Sequence, residues 1–273
     1  MDLNSITTVA RPRRRDETPA FTAGDAWLAG GTWLFSEPQP ALRRLIDLGG
    51  LDWPPLRADD GGLAIAATCT IAALDSFEAP SAWIAAALIG QCCRSFLASF
   101  KIWHMATVGG NLCLALPAGP MISLCVALDG TCVIWTPDGG ERRMAAVDFV
   151  LAPQRTALRP GELLRGVELP LAALRCRTAF RRASLTPHGR SGVLLIGART
   201  AGGDFRLTVT AATRRPVLLV FTGLPEWAAL AERLAGAIPD GAYYDDIHGR
   251  PDWRRHMTFE FAREIRRELG SGA

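Results

Sequence analysis

Apolar and polar positions fall into three textures along the chain. Up to about residue 55, the short apolar run "DAWL" at 25–28 leads into Gly30-Gly31, and "LRRLIDL" at 42–48 reads as an amphipathic turn or strand ending at Gly49-Gly50. From 56 to about 170, "GGLAIAATCTIAAL" at 61–74 predicts a strand followed by a helix that starts after Thr70, and "SAWIAAALIGQCC" at 81–93 has helical composition. Next come a helix in "MISLCVALDG", a strand "TCVIW" at 131–135, and a hairpin closed at Asp138-Gly139. Beyond residue 171, the strand-like "SGVLLIGART" and "FRLTVTAAT" flank Gly202-Gly203, and "WRRHMTFEFAREIRREL" at 253–269 predicts a last helix. No fixed-period repeat interrupts this order, and strands and helices do not alternate cleanly, so the expected class is α+β.

Composition narrows the functions open to such a fold. A length of 273 residues suits two or three compact subdomains, and 49% hydrophobic against 21% charged residues excludes a disordered chain. The formal charge of +3 is small, and the only dense basic run, "RPRRR" at 11–15, has no aromatic interleaving, so it reads as solvated surface and not as a nucleic-acid site. No segment reaches the ~18–20 consecutive apolar residues of a membrane span. The first residues have no apolar core behind their arginines, so the expected location is cytoplasmic. The seven cysteines lie in apolar stretches without a C-x-x-C, as buried free thiols do, and nothing resembles the thiolate set of an iron–sulfur loop. The four histidines have no metal-ligand spacing such as H-E-x-x-H. "HGRSG" at 188–192 lacks the G-x-S-x-G of a nucleophile elbow. Asp245 and Asp246 are expected to cap the last helix.

Two glycine pairs carry the candidate chemistry. "AGGTWL" at 29–34 places bare backbone where an apolar strand gives way to a loop, and "TVGGN" at 107–111 repeats that arrangement with an amide side chain added. Backbone N–H groups with no Cβ in the way can converge on an anion, and two such loops from different subdomains would hold a pyrophosphate between them. The common dinucleotide fingerprints G-x-G-x-x-G and G-x-x-x-x-G-K-[ST] are absent.

"AGGTWL" and "ATVGGNLCLALPAGP" resemble the two flavin-binding motifs of the FAD-binding middle subunit of the molybdenum hydroxylases, the family of xanthine dehydrogenases, aldehyde oxidoreductases and carbon monoxide dehydrogenases. "LRPGELLRGVELP" at 158–170, "AFRRAS" at 179–184 and "DDIHGRPDWRRHM" at 245–257 are similar to later segments of the same subunit, so the resemblance covers nearly the whole chain. It implies an α+β, PCMH-type FAD-binding fold with subdomains at 1–55 and 56–170, and a C-terminal domain at 171–273 with a small antiparallel sheet and helices. It further implies FAD contacts from Ala29, Gly30, Gly31, Thr32, Trp33 and Leu34 on one side, and from Thr107, Gly109, Gly110 and Asn111 on the other. Leu97 would pack against the isoalloxazine, and Arg181 would stand close to the ring, favouring its anionic reduced form.

Two positions depart from the family pattern. The bulky Trp33 replaces a small polar residue, and Pro120 replaces an aspartate nine residues after the motif asparagine. The implied function is an oxidoreductase subunit that relays electrons through FAD from iron–sulfur clusters to an external acceptor. Its expected partners are an iron–sulfur small subunit and a large subunit with the molybdenum cofactor. A degenerate scaffold subunit that binds flavin weakly or not at all is the alternative.

Overall fold

The computed structural model describes residues 3–271. Strands β1 (Thr8–Ala10), β2 (Asp25–Leu28) and β3 (Arg44–Asp47) form a parallel sheet with β3 at its centre. A strand buried on both faces needs apolar neighbours, which Leu45 and Ile46 supply. Beside them Arg44 Nε donates to the buried Asp25 at 2.9 Å. That hydrogen bond, with those from Thr22, outweighs burial and holds the Asp25 carboxyl down at about 2.

The second sheet is antiparallel, in the order β4 (Leu56–Asp59), β5 (Gly62–Ala66), β10 (Leu163–Pro170), β6 (Thr131–Trp135) and β7 (Glu141–Ala145). The Asp138-Gly139 hairpin joins β6 to β7 as expected, with Gly139 at φ +84°. Between β5 and β6 run helices α1 (Ile71–Asp75), α2 (Ala86–Arg94), α3 (Phe100–Trp103), α4 (Val108–Leu114) and α5 (Pro120–Ala127). Thr70 caps α1 by accepting from Ala73 N at 3.1 Å. The helix expected over 81–93 starts only at Ala86, because Ala85 N is drawn into a hydrogen bond with Leu174 O at 2.9 Å. Past β7 come α6 (Ala146–Phe149), the small hairpin β8 (Val150–Ala152) and β9 (Arg155–Thr156), and α7 (Leu171–Leu174) after β10.

The third sheet is an antiparallel meander of β11 (Arg177–Ala183), β12 (Val193–Arg199), β13 (Phe205–Thr210) and β14 (Val217–Phe221), covered on one face by α8 (Trp227–Ala237) and α9 (Pro251–Gly270). Gly197 lets α9 lie close, since a Cβ there would come within 2.2 Å of Ile265 Cγ2. The opposite face of this sheet joins the interior of the second region: Leu194, Ile196 and Ala211 belong to one buried cluster with α5, whose eight residues are all buried. A Ser123–Thr210 hydroxyl pair at 2.6 Å fastens α5 to β13.

Asp245 and Asp246 do not cap α9, whose N-cap is Arg250. A turn bridging Asp246 and Gly249 separates the pair from the helix. Asp246 instead binds Arg254, a residue 1% exposed whose guanidinium also donates to the carbonyls of Gly249, Gly192 and Ala211. A buried cation is tolerable only when paired and hydrogen-bonded, and Arg254 is both, with Asp246 and three carbonyls around its guanidinium. Among the described residues no helix is long and apolar enough to cross a membrane.

Candidate functional site

The two glycine loops meet across a cleft of about 630 Å³, within the size range of small-molecule and cofactor sites. Residues 29–34 leave β2 as an irregular turn, tightened by Phe35 N donating to Gly31 O at 2.9 Å. Gly31 has φ +69°, a conformation that side chains disfavour. Gly30 permits contact with the next segment, because a Cβ on it would fall 1.7 Å from the carbonyl oxygen of Met105. Among the described residues, no group of the chain accepts from the amides of Gly30, Gly31, Thr32, Trp33 or Leu34. Five successive unpaired N–H groups on a cleft wall suit an anion.

The second loop is built differently. Thr107 caps α4, its Oγ1 accepting from Gly110 N at 3.0 Å. Val108 N and Gly109 N donate to Cys69 O and Ala67 O at 2.8 and 2.9 Å. Gly109 is buried, and a Cβ there would lie 2.4 Å from that of Ala67, so this glycine serves the packing of α4 onto the end of β5. Gly110 is exposed and lines the cleft. The Asn111 side chain accepts from Met121 N at 3.1 Å and so joins α4 to the start of α5.

Of the residues expected at the site, Ala29 to Leu34, Leu97, Thr107, Gly110 and Asn111 line this one cleft. Gly109 lies behind it. Arg181 is elsewhere: Glu264 and Glu268 of α9 hold its guanidinium at 2.6 and 2.7 Å, which corrects the expectation of a cation beside the ring at that position. The reason is strand alternation, which puts Arg181 on the side of β11 with Ala179 and Ala183, facing α9.

The sequence reading missed Phe96, Ile102, Cys113, Gln154, His188 and Arg190, all on the cleft wall. His188 and Arg190 come from the β11–β12 loop, whose "LTPHGRSG" reads only as a polar connector. Among the described residues no carboxylate lines the cleft, and its remaining surface is largely apolar. An extended ligand with a flat apolar ring system and an anionic middle fits that wall and the free amides.

Thiol chemistry has no foothold in the interior, where burial pushes the Cys69 and Cys93 thiols up to about 12. Among the described residues no three His, Cys, Asp or Glu side chains group as a metal site.

Comparison with known proteins places residues 9–172 under the family model described as the FAD binding domain in molybdopterin dehydrogenase. The chain is 28% identical over 136 residues to caffeine dehydrogenase subunit beta of Pseudomonas sp. (strain CBB1), covering 48% of this chain and 45% of that protein. It is 35% identical over 75 residues to xanthine dehydrogenase of Oryza sativa subsp. japonica, covering 28% of this chain and 6% of that protein. The chain thus spans less than half the length of these curated relatives. Among solved structures, quinoline 2-oxidoreductase from Pseudomonas putida 86 superimposes with a TM-score of 0.79 at 20% identity, over 100% of this chain and 99% of that one. Reconstituted CO dehydrogenase from Oligotropha carboxidovorans does so with a TM-score of 0.82 at 21% identity, over 100% of both chains.

Proposed function

The chain belongs to the family of FAD-binding domains in molybdopterin dehydrogenases, and from that premise we propose that it is the flavin-carrying electron-transfer subunit of a multi-subunit molybdenum hydroxylase. The observation that supports this most directly is the run of unpaired amides from Gly30 to Leu34 on the wall of a largely apolar cleft. FAD, when bound, supplies the capacity to take up electrons and pass them on singly or in pairs.

The chain's own residues bind and orient. The amides of the 30–34 turn would hold a phosphate, Gly110 would leave room for the dinucleotide beside α4, and Leu97, 43% exposed at the mouth, would cover a ring face and exclude water. Substrate activation would fall to a large subunit with the molybdenum cofactor, and electron delivery to an iron–sulfur subunit. The cysteine spacing of this chain supplies no cluster ligands.

One observation favours the scaffold alternative. Trp33 and Pro120 both line the cleft, so an indole and a pyrrolidine occupy wall positions where the family pattern has polar side chains. Purification from the native host tests the choice. Flavin absorbance in the purified protein, with iron–sulfur and molybdenum chains in the same fraction, is the expected result. A colourless subunit in an otherwise active complex would leave the scaffold reading, and a lone active flavoprotein would refute both.

A further inference from the structure

We propose that Arg190 is the counter-ion of the bound flavin dinucleotide, a cofactor-binding residue carried into the cleft from the C-terminal sheet. This rests on the FAD-binding reading above. Among the described residues Arg190 is the only lysine or arginine on the cleft wall, and no aspartate or glutamate of them lies there to neutralise it. Nor does Arg190 take part in an ion pair anywhere among the described residues, whereas Arg181 and Arg254 are both engaged by carboxylates.

The loop is built to present it. Arg182 donates through Nε to Ser191 Oγ at 2.7 Å and through Nη2 to Gly189 O, so both neighbours of Arg190 are tied to the same guanidinium. Gly192 N donates to Ala183 O at 2.9 Å, and the buried Arg254 binds Gly192 O at 2.6 Å, which fixes the loop's far end. Only the side chain between these anchors is left without a partner among the described residues.

The need for such a charge follows from counting amides. The two glycine loops look equivalent in sequence, but Val108 N, Gly109 N, Gly110 N and Asn111 N are already bonded to Cys69 O, Ala67 O, Thr107 Oγ1 and Thr107 O, which leaves the second loop only the Thr107 amide, beside the five of the first turn, to meet a pyrophosphate dianion. Backbone dipoles carry partial charges, and an anion in an apolar cleft is costly unless a full charge pairs with it. A guanidinium does so with directed N–H groups.

The test compares the unaltered protein with Arg190→Ala, Arg190→Glu and Arg190→Lys, using oxidised FAD, riboflavin and the flavin's reduction potential as readouts. FAD dissociation should rise about tenfold in Arg190→Ala and further in Arg190→Glu, with a shallower salt dependence, and Arg190→Lys should recover most of the affinity. Riboflavin, which lacks phosphate, should bind all four proteins alike if the charge meets the pyrophosphate. A fall in reduction potential with FAD affinity unchanged would support the counter-ion role and locate it at the reduced ring. Unchanged affinity, salt dependence and potential in Arg190→Glu would overturn the proposal. Equal losses for FAD and riboflavin with no shift in potential would also overturn it, as a packing effect. No FAD binding by the unaltered protein would overturn the cofactor reading itself.

Discussion

The adjacent glycines 109 and 110 should separate into a stability residue and a binding residue. An alanine at 109 places its Cβ 2.4 Å from that of Ala67 and 2.7 Å from the Ala67 carbonyl oxygen, so α4 must move off β5 or the strand end must give. Both neighbours are backbone or a rigid methyl, and overpacking of this kind costs about 1–3 kcal/mol. For a chain of this size that corresponds to a fall in Tm of roughly 2–10 °C. An alanine at 110 meets only Thr107 Oγ1, at 3.0 Å, in a helical position where it gains up to ~1 kcal/mol over glycine. Its methyl, and more so the branched side chain of Gly110→Val, would enter the cleft. Thermal melting of the apoprotein and FAD titration together form the assay. Gly109→Ala should melt lower, and Gly110→Val should lose at least about tenfold in FAD affinity, ~1.4 kcal/mol, with Tm nearly unchanged. If Gly109→Ala melts like the unaltered protein, or Gly110→Val binds FAD normally, the division of labour is wrong.

Other perturbations follow from the same contacts. Arg181→Ala should leave FAD affinity and potential unchanged and cost under ~1 kcal/mol, because its pairs with Glu264 and Glu268 are partly exposed; a shifted potential would return it to the flavin. Arg254→Ala should cost about 3–5 kcal/mol in chemical denaturation, since it strands Asp246 and three buried carbonyls. Asp25 has a folded pKa near 2 against an ordinary 3.8, so its contribution is fully present above about pH 4 and is lost as pH falls toward 2. Asp25→Asn should therefore lower stability at neutral pH and flatten the acid limb of the stability curve; an unchanged slope between pH 4 and 2 would refute that linkage.

The parts of the molecule written in local pattern were legible before folding. Short apolar runs mark β5 and β6, Asp138-Gly139 marks the neighbouring hairpin, and the two glycine pairs mark the walls of the cleft. What could not be read is what tertiary contact assigns. Gly109 and Gly110 are identical as residues, and only the strand end behind the first distinguishes them. The β11–β12 loop reaches the cleft because Arg254, 62 residues further on, grips Gly192. Arg181 was misplaced for a nearer reason: strand alternation alone puts it with Ala179, away from Phe180, which packs on the opposite side of β11.

The interior that α5 shares with β12 and β13 has a bearing on how the chain can be divided. The family model of the FAD-binding domain ends at residue 172, which invites cutting there to obtain the flavin module alone. Such a fragment would uncover the side of α5 that Leu194, Ile196 and Thr210 now cover, and would leave the Ser123 hydroxyl without its partner. It would also discard the loop that carries Arg190. The end of the FAD-binding domain and the boundary of cooperative melting are then different places on this polypeptide: calorimetry of the full chain should show the second and third sheets unfolding in one transition, and expression of residues 1–172 should yield aggregate instead of a flavoprotein.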